Sequence, residues 1–240
     1  MIKEKTMKKI GIIGAMDEEI LALRNEMEQV KETEVASMNF CEGILSGKEV
    51  VLVRSGIGKV NMAVCAQILA TQFQVDCVLN TGIAGSLCND INIGDIVIST
   101  DAMQHDFDAT VFGYKKGEIP RMETSTFVAD EAMVALAKKV CEEVNKDISV
   151  FTGRVVSGDQ FISNDEVKNA IVENFNGLCT EMEGASMAQV AWLNHLPFVI
   201  IRAISDKADH SAEVDYDEFE AKAIEHTVKL VRQMVKEMEA

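Results

Sequence analysis

Four short segments carry side chains that could hold or act on a bound molecule: Gly14-Ala15-Met16-Asp17-Glu18-Glu19, Ser55-Gly56-Ile57-Gly58-Lys59, Thr81-Gly82-Ile83-Ala84-Gly85 and Ser205-Asp206. Each joins backbone that can turn tightly to a hydroxyl or a carboxylate. The first is not a dinucleotide fingerprint, because GxGxxG is absent and no acidic residue is spaced to hold a ribose. The second is not a Walker loop, since Val53 stands where its first glycine belongs and Val60 replaces the Ser/Thr. Asp17, Glu18 and Glu19 also read as the acidic first turn of a helix, where the dipole favours them. Glu183 also reads as the end of a capping box opened by Thr180, and Asp206 as a loop cap beside Ser205. His105-Asp106 with Asp108 could suggest a metal, but His195, His210 and His226 are scattered and none lies at ligand spacing, so no metal is expected.

The elements that must position these segments alternate along the chain. Strands are expected over Lys8 to Gly14, Asp76 to Asn80, Asp95 to Thr100, Ser149 to Val156 and Pro197 to Ala203, each a short apolar run. Helices are expected over Asp17 to Val30, Val60 to Gln72 and Val128 to Val144. Two more follow Ser163-Asn164-Asp165-Glu166 and Thr180-Glu181-Met182-Glu183, both with capping-box spacing. The stripe Phe219, Ala223, Leu230, Met234 and Met238 places a long C-terminal helix on the core. Ser46-Gly47-Lys48 between two strand-like runs signals a hairpin. This pattern implies an α/β fold: a single domain over residues 7–240 with a central, mixed, largely parallel sheet flanked by helices, after a short polar extension over 1–6. In such a sheet ligands bind beyond the carboxyl ends of the strands, which is where the four segments fall.

Composition excludes several classes of partner. The 240 residues carry a net charge of −16, which repels nucleic acid and anionic membrane surfaces. A chain of this length buries roughly 70% of the surface its unfolded form exposes. Six cysteines without a CxxC pair are expected to be reduced core thiols. With a polar N-terminus and no run near the ~20 apolar residues of a membrane span, a soluble cytoplasmic protein is expected.

Gly11-Ile-Ile-Gly-Ala-Met16 with Glu18-Glu19, Ser55-Gly-Ile-Gly-Lys-Val60, Asn80-Thr-Gly-Ile-Ala-Gly85, Gly94-Asp-Ile-Val97, Val156-Ser-Gly-Asp159 with Phe161-Ile162, Glu181-Met-Glu183 and Arg202-Ala-Ile-Ser-Asp206 occur in that order. Together they resemble the methylthioadenosine/S-adenosylhomocysteine nucleosidases of the nucleoside phosphorylase superfamily, over nearly the whole chain. The resemblance implies hydrolysis of the N-glycosidic bond of an adenine nucleoside with a 5′-thio substituent, with no cofactor. It implies that Asp206 protonates N7 of the base, steadied by Ser205, and that Glu19 activates the attacking water. An acid of that kind needs a raised pKa, which the apolar strand leading to Asp206 would supply by desolvation. By the same resemblance Glu183 binds ribose hydroxyls, Met182 packs on the sugar, Phe161 stacks on the purine and the Ile162 backbone reads its edge. Arg202 supports the acidic residues around Glu183. Met16, Ile57 and Tyr216 line the apolar 5′ end, which Phe112 and Pro120 close from the partner subunit of a homodimer.

One position departs from the resemblance: many relatives carry serine where this chain has Ile83. In the phosphorylases the matching loop holds phosphate through an arginine and a serine. Asn80 and Ile83 stand there instead, which favours water as the acceptor. The rivals are a purine nucleoside phosphorylase of the same fold, a receiver-type signalling module binding magnesium at Asp17 to Glu19, and a non-catalytic nucleoside-binding protein. The receiver reading lacks the required Asp and Lys at strand ends.

Overall fold

The structure is a computed structural model that describes residues 9–238; the extension expected over Met1–Thr6 lies outside them. Burial of Ile10, Ile12 and Ile13 makes β1 (Lys9–Gly14) a central strand. It runs parallel to β4 (Lys48–Arg54) on one side and β5 (Cys77–Ser86) on the other. α1 (Asp17–Glu26) buries Ile20 and Leu23, then stops at Met27, whose ψ of 140° turns the chain extended. The helix expected as far as Val30 is therefore too long: Glu28–Val35 forms an edge strand, β2, antiparallel to β3 (Met38–Leu45). The hairpin between β3 and β4 forms on Ser46 and Gly47, whose φ values of 50° and 81° fit the type I′ turn that matches strand twist.

β5 is the hub. Besides β1 it pairs parallel with β10 (Phe198–Asp206) and antiparallel with β9 (Cys179–Glu181). β10 pairs antiparallel with β6 (Ile96–Gln104), β6 parallel with β8 (Val150–Ser157), and β8 parallel with β9. Strands β5, β10, β6, β8 and β9 thus close on themselves, while β1, β4, β3 and β2 extend the sheet from β5. β7 (Phe127–Val128) adds to the edge of β6. All ten residues of β5 are buried, as expected of a strand covered on both faces.

One face is covered by α1, α3 (Glu131–Val144) and α6 (Ala212–Glu237), through Leu23, Met133, Val140, Leu230 and Met234. The other is covered by α2 (Lys59–Ile68), a π-turn over Leu69–Phe73 and α5 (Gly184–Leu193), through Met62, Leu69, Ala185 and Met187. Each of these leucine, methionine and valine side chains contributes roughly 1.5–3 kcal/mol by leaving water. α4 (Asp165–Phe175) packs Ile171 and Phe175 with Ile162 in a smaller cluster beside the strand ends. In the expected C-terminal stripe Ala223, Leu230, Met234 and Met238 are buried, and Phe219 is half-buried.

Three helix starts differ from expectation. α3 begins at Glu131 rather than Val128, because Asp130 caps the Met133 amide (2.9 Å) while Phe127 and Val128 pair with β6. α4 is capped by Asn164, which accepts from the amides of Glu166 and Val167, and not by Ser163. Thr180 lies inside β9 and caps nothing; the Glu181 carboxylate receives the Gly184 amide (2.8 Å) at the start of α5.

Candidate active site

The ends of β1, β5, β8, β9 and β10 surround one cavity of about 250 Å³. Of the expected site residues, Met16, Glu19, Ile57, Ile83, Phe161, Ile162, Met182, Glu183, Ser205, Asp206 and Tyr216 line it. Arg202, Phe112 and Pro120 do not. Gln160, Thr180 and Glu181 also line it, although none of them was expected in the site.

Two carboxylates reach the cavity across glycines of β5. Glu19 is buried, and its Oε2 accepts the amides of Ala15 (2.6 Å) and Met16 (3.0 Å). Its Oε1 lies against Gly82, where any Cβ would come within 2.6 Å of it. Glu19 therefore both caps α1 and faces the pocket, so the two readings of this residue are compatible. Burial pushes its carboxyl up from the ordinary range, opposed by the Arg202 charge and by the amides of Met16, Ala15 and Ile83; the net shift is upward. Asp206 ends β10 after a register shift that re-aims its side chain. Its Oδ2 accepts the Ser205 hydroxyl (2.8 Å), its Oδ1 accepts the Ala208 amide (2.8 Å), and a Cβ on Gly85 would stand 2.7 Å from Oδ1. Gly82 and Gly85 are three residues apart on one strand, about 10 Å by the strand rise, and each leaves room for one of the two carboxylates.

Behind them lies a buried charge cluster. Arg202, expected to support the acidic residues around Glu183, is 2% exposed and does not line the cavity. Its Nη2 and Nε donate to Glu181 Oε2 (2.5 and 3.2 Å), and Nη2 also donates to Asn80 Oδ1 (2.5 Å). Glu181 further accepts the Ser157 hydroxyl and the amides of Glu183 (3.2 Å) and Gly184. Asn80 in turn donates to the Ile13 carbonyl (3.1 Å), so it serves the guanidinium and stands off the pocket wall. Of the two positions that hold phosphate in the phosphorylases, Ile83 alone lines the cavity here, and Asn80 lies behind it. Glu183 occupies the N-cap position of α5 without capping that helix; its Oε1 accepts the Gly58 amide at 2.7 Å. Burial, then the Glu181 charge, push its carboxyl up to about 7. The Arg202 charge pulls both Glu19 and Glu183 down, but burial outweighs it at each. The signal in the sequence for Glu181 was its place in Glu-Met-Glu, two residues before a pocket carboxylate.

Most of the remaining wall is apolar. Phe161 meets Tyr216 edge-on with centroids 5.9 Å apart, and the Tyr216 hydroxyl donates to Glu220 (2.9 Å) and contacts Met16 Sδ (3.5 Å). Ile57 and Phe161 remain 55% and 47% exposed at the mouth. Phe112, in a 3-10 turn, projects from the surface at 80% exposure, and Pro120 is half-buried in the same irregular stretch; neither lines the cavity. His105 packs edge-on against Phe175 (6.5 Å), and Asp106 pairs with Lys59 (2.6 Å). No group of three metal-ligating side chains occurs among the described residues.

The Phosphorylase superfamily profile matches residues 9–236. A 5′-methylthioadenosine/S-adenosylhomocysteine nucleosidase of Bacillus cereus is 42% identical over 231 residues, covering 96% of this chain and 99% of its own length. Among solved structures, the nucleosidase of that description from Neisseria meningitidis, in complex with methylthio-immucillin-A, superposes with a TM-score of 0.92 at 40% identity, covering 96% of this chain and 99% of its own. Its counterpart from Colwellia psychrerythraea, in complex with adenine, gives 0.93 at 38% identity, with 98% and 97% covered.

Proposed function

The chain belongs to the phosphorylase superfamily, within its 5′-methylthioadenosine/S-adenosylhomocysteine nucleosidases, and from that premise we propose that it hydrolyses the N-glycosidic bond of those two nucleosides, and of 5′-deoxyadenosine. The products are adenine and the corresponding ribose. The observation that carries the reading is the pair of buried carboxylates, Glu19 and Asp206, set across Gly82 and Gly85 of one strand on the wall of one cavity.

Cleavage builds oxocarbenium charge on the ribose while the purine gathers electrons. In this reading Asp206 donates a proton to N7, so that the base leaves neutral, and the Ser205 hydroxyl holds its carboxyl group in place. Glu19 takes a proton from a water attacking C1′ on the opposite face. Each group contributes ~10²–10⁴-fold by general acid–base action. Glu183 holds ribose hydroxyls, Met182 packs on the sugar, Phe161 stacks on the purine and the Ile162 backbone reads its edge. Met16, Ile57 and Tyr216 take the 5′-thio substituent, while Arg202 acts from behind through Glu181.

Water is the acceptor because, among the described residues, no lysine or arginine lines the cavity. A phosphate dianion there would meet carboxylates and the apolar Ile83 instead of a cation. The exposed Phe112 and the neighbouring Pro120 support a homodimer in which each partner closes the other's 5′ end. The reading places residues 7–240 in one nucleosidase domain, needs no cofactor, and takes the enzyme to be cytoplasmic, in keeping with six unpaired cysteines. No helix among the described residues is long and apolar enough to cross a membrane. Incubation with methylthioadenosine, with and without phosphate, tests the reaction: adenine and free methylthioribose are expected in both. A sugar 1-phosphate would move the chain to the phosphorylases.

A further inference from the structure

Lys59, Asp106 and Asp159 belong to the motifs of the chain, yet the reaction described above uses none of them. Lys59 opens α2 two residues after Ile57, and Asp159 stands two residues before Phe161, so each is tied to one rim of the cavity. The first amides of α2 have no partner within the helix, and its N-cap, Gly58, has no side chain to offer them. They are met from across the cavity: the Gly58 amide by Glu183 (2.7 Å), the Lys59 amide by Asp159 Oδ1 (2.8 Å). The Lys59 ammonium reaches the far end of β6, donating to Asp106 Oδ1 (2.6 Å) and Gln104 Oε1 (3.1 Å). Asp106 Oδ2 closes the ring by accepting the Asp159 amide (3.0 Å). The Lys59 and Asp106 side chains are 19% and 17% exposed, so the pair is largely shielded from water and salt. Burial pushes the Asp106 carboxyl up, but Lys59 and the Asp159 amide outweigh it and hold it below its ordinary range.

We infer that Lys59, Asp106 and Asp159 form a polar clasp that sets the purine-stacking loop against the segment carrying Ile57, and that they are positioning residues for the substrate. Ile57 and Phe161 are each about half exposed, so burial alone does not fix them; the clasp, two residues away from each, supplies that constraint. Without it the Phe161 loop samples other positions, and ordering it becomes a cost of binding. This inference rests on the reading of Phe161 as the purine platform, and adenine is the right probe because it engages that arm and has no 5′ group for the other.

The test is a double-mutant cycle on adenine affinity, measured by titration calorimetry with wild type, Asp106→Asn, Phe161→Ala and the double variant, alongside KM and kcat for methylthioadenosine. Asp106→Asn is expected to weaken adenine binding about 5- to 10-fold and to raise KM similarly, with kcat within about threefold of wild type. In the Phe161→Ala background the same substitution should cost less than about twofold, because the ring it positions is gone. Lys59→Gln runs the same cycle as a second variant, and Lys59→Arg should recover most of the loss. The clasp is overturned if both variants bind adenine within twofold of wild type, or if their losses multiply fully with that of Phe161→Ala. Failure of both to fold overturns it too, since the pair would then hold the fold and not the rim. Wild-type protein that releases no adenine from methylthioadenosine would instead refute the proposed reaction.

Discussion

Replacing Glu183 by glutamine should make the free protein more stable in alkaline buffer while damaging the enzyme. Glu183 is buried with its carboxyl pushed up to about 7, against 4.5 for an ordinary glutamate, by desolvation and by the neighbouring charge of Glu181. Between those two values the native state keeps a proton that the unfolded chain has lost. Stability therefore falls as pH rises through the window, and below it the group has no effect. At 1.36 kcal/mol per pK unit the loss by pH 8 is on the order of 3 kcal/mol. Glutamine is neutral at both ends of the window, and its side-chain oxygen can still accept the Gly58 amide. Urea denaturation of both proteins at one protein concentration, at pH 5 and pH 8, reads the difference. The variant should match wild type closely at pH 5 and exceed it by about 3 kcal/mol at pH 8, or roughly 6–12 °C in Tm. Turnover should fall, because the proposed ribose contact loses its carboxylate. A variant less stable than wild type at pH 8, or a gap of the same size at both pH values, would refute the reasoning.

Glu19→Gln and Asp206→Asn should each cost at least ~10² in turnover of methylthioadenosine. With a nitrophenyl thioriboside, whose leaving group departs without protonation, Asp206→Asn should recover much of its rate and Glu19→Gln should stay slow. Near-normal turnover of both variants on methylthioadenosine would remove the acid–base assignment. Gly85→Ala puts a Cβ 2.7 Å from Asp206 Oδ1 and 2.9 Å from Ala208 Cβ, so the carboxylate must move; kcat should drop at least ~10-fold, with ~1–3 kcal/mol lost from the urea midpoint. Phe112→Ala should raise KM for methylthioadenosine about 10-fold while leaving adenine affinity unchanged, because in the proposed homodimer the ring reaches only the partner's 5′ end; equal losses for both ligands would place it elsewhere.

Short-range patterns made much of this molecule readable in the chain. Apolar runs such as Ile10 to Ile13 and Phe198 to Ile201 marked buried strands, because a strand covered on both faces needs no polar alternation. Ser46-Gly47 marked the hairpin, because so few residues accept two successive positive φ values. The segments that line the cavity were visible as glycine-rich strand ends with hydroxyls and carboxylates, and their order carried the family. β2 was not readable: Glu28–Val35 is polar on both faces, and only its pairing with β3 makes it a strand. Nor were the helix caps at Asn164 and Glu181, where the spacing also fitted a neighbour one residue away or an alternative partner. Tertiary structure alone decided what the charges do. Arg202 meets Glu181 across 21 residues and Asn80 across 122, and Lys59 meets Asp106 across 47. Local periodicity records which face of an element is apolar, but a buried cation is neutralised by whichever carboxylate the sheet closure brings beside it. That closure, through β5, is what turns separate strand ends into one pocket.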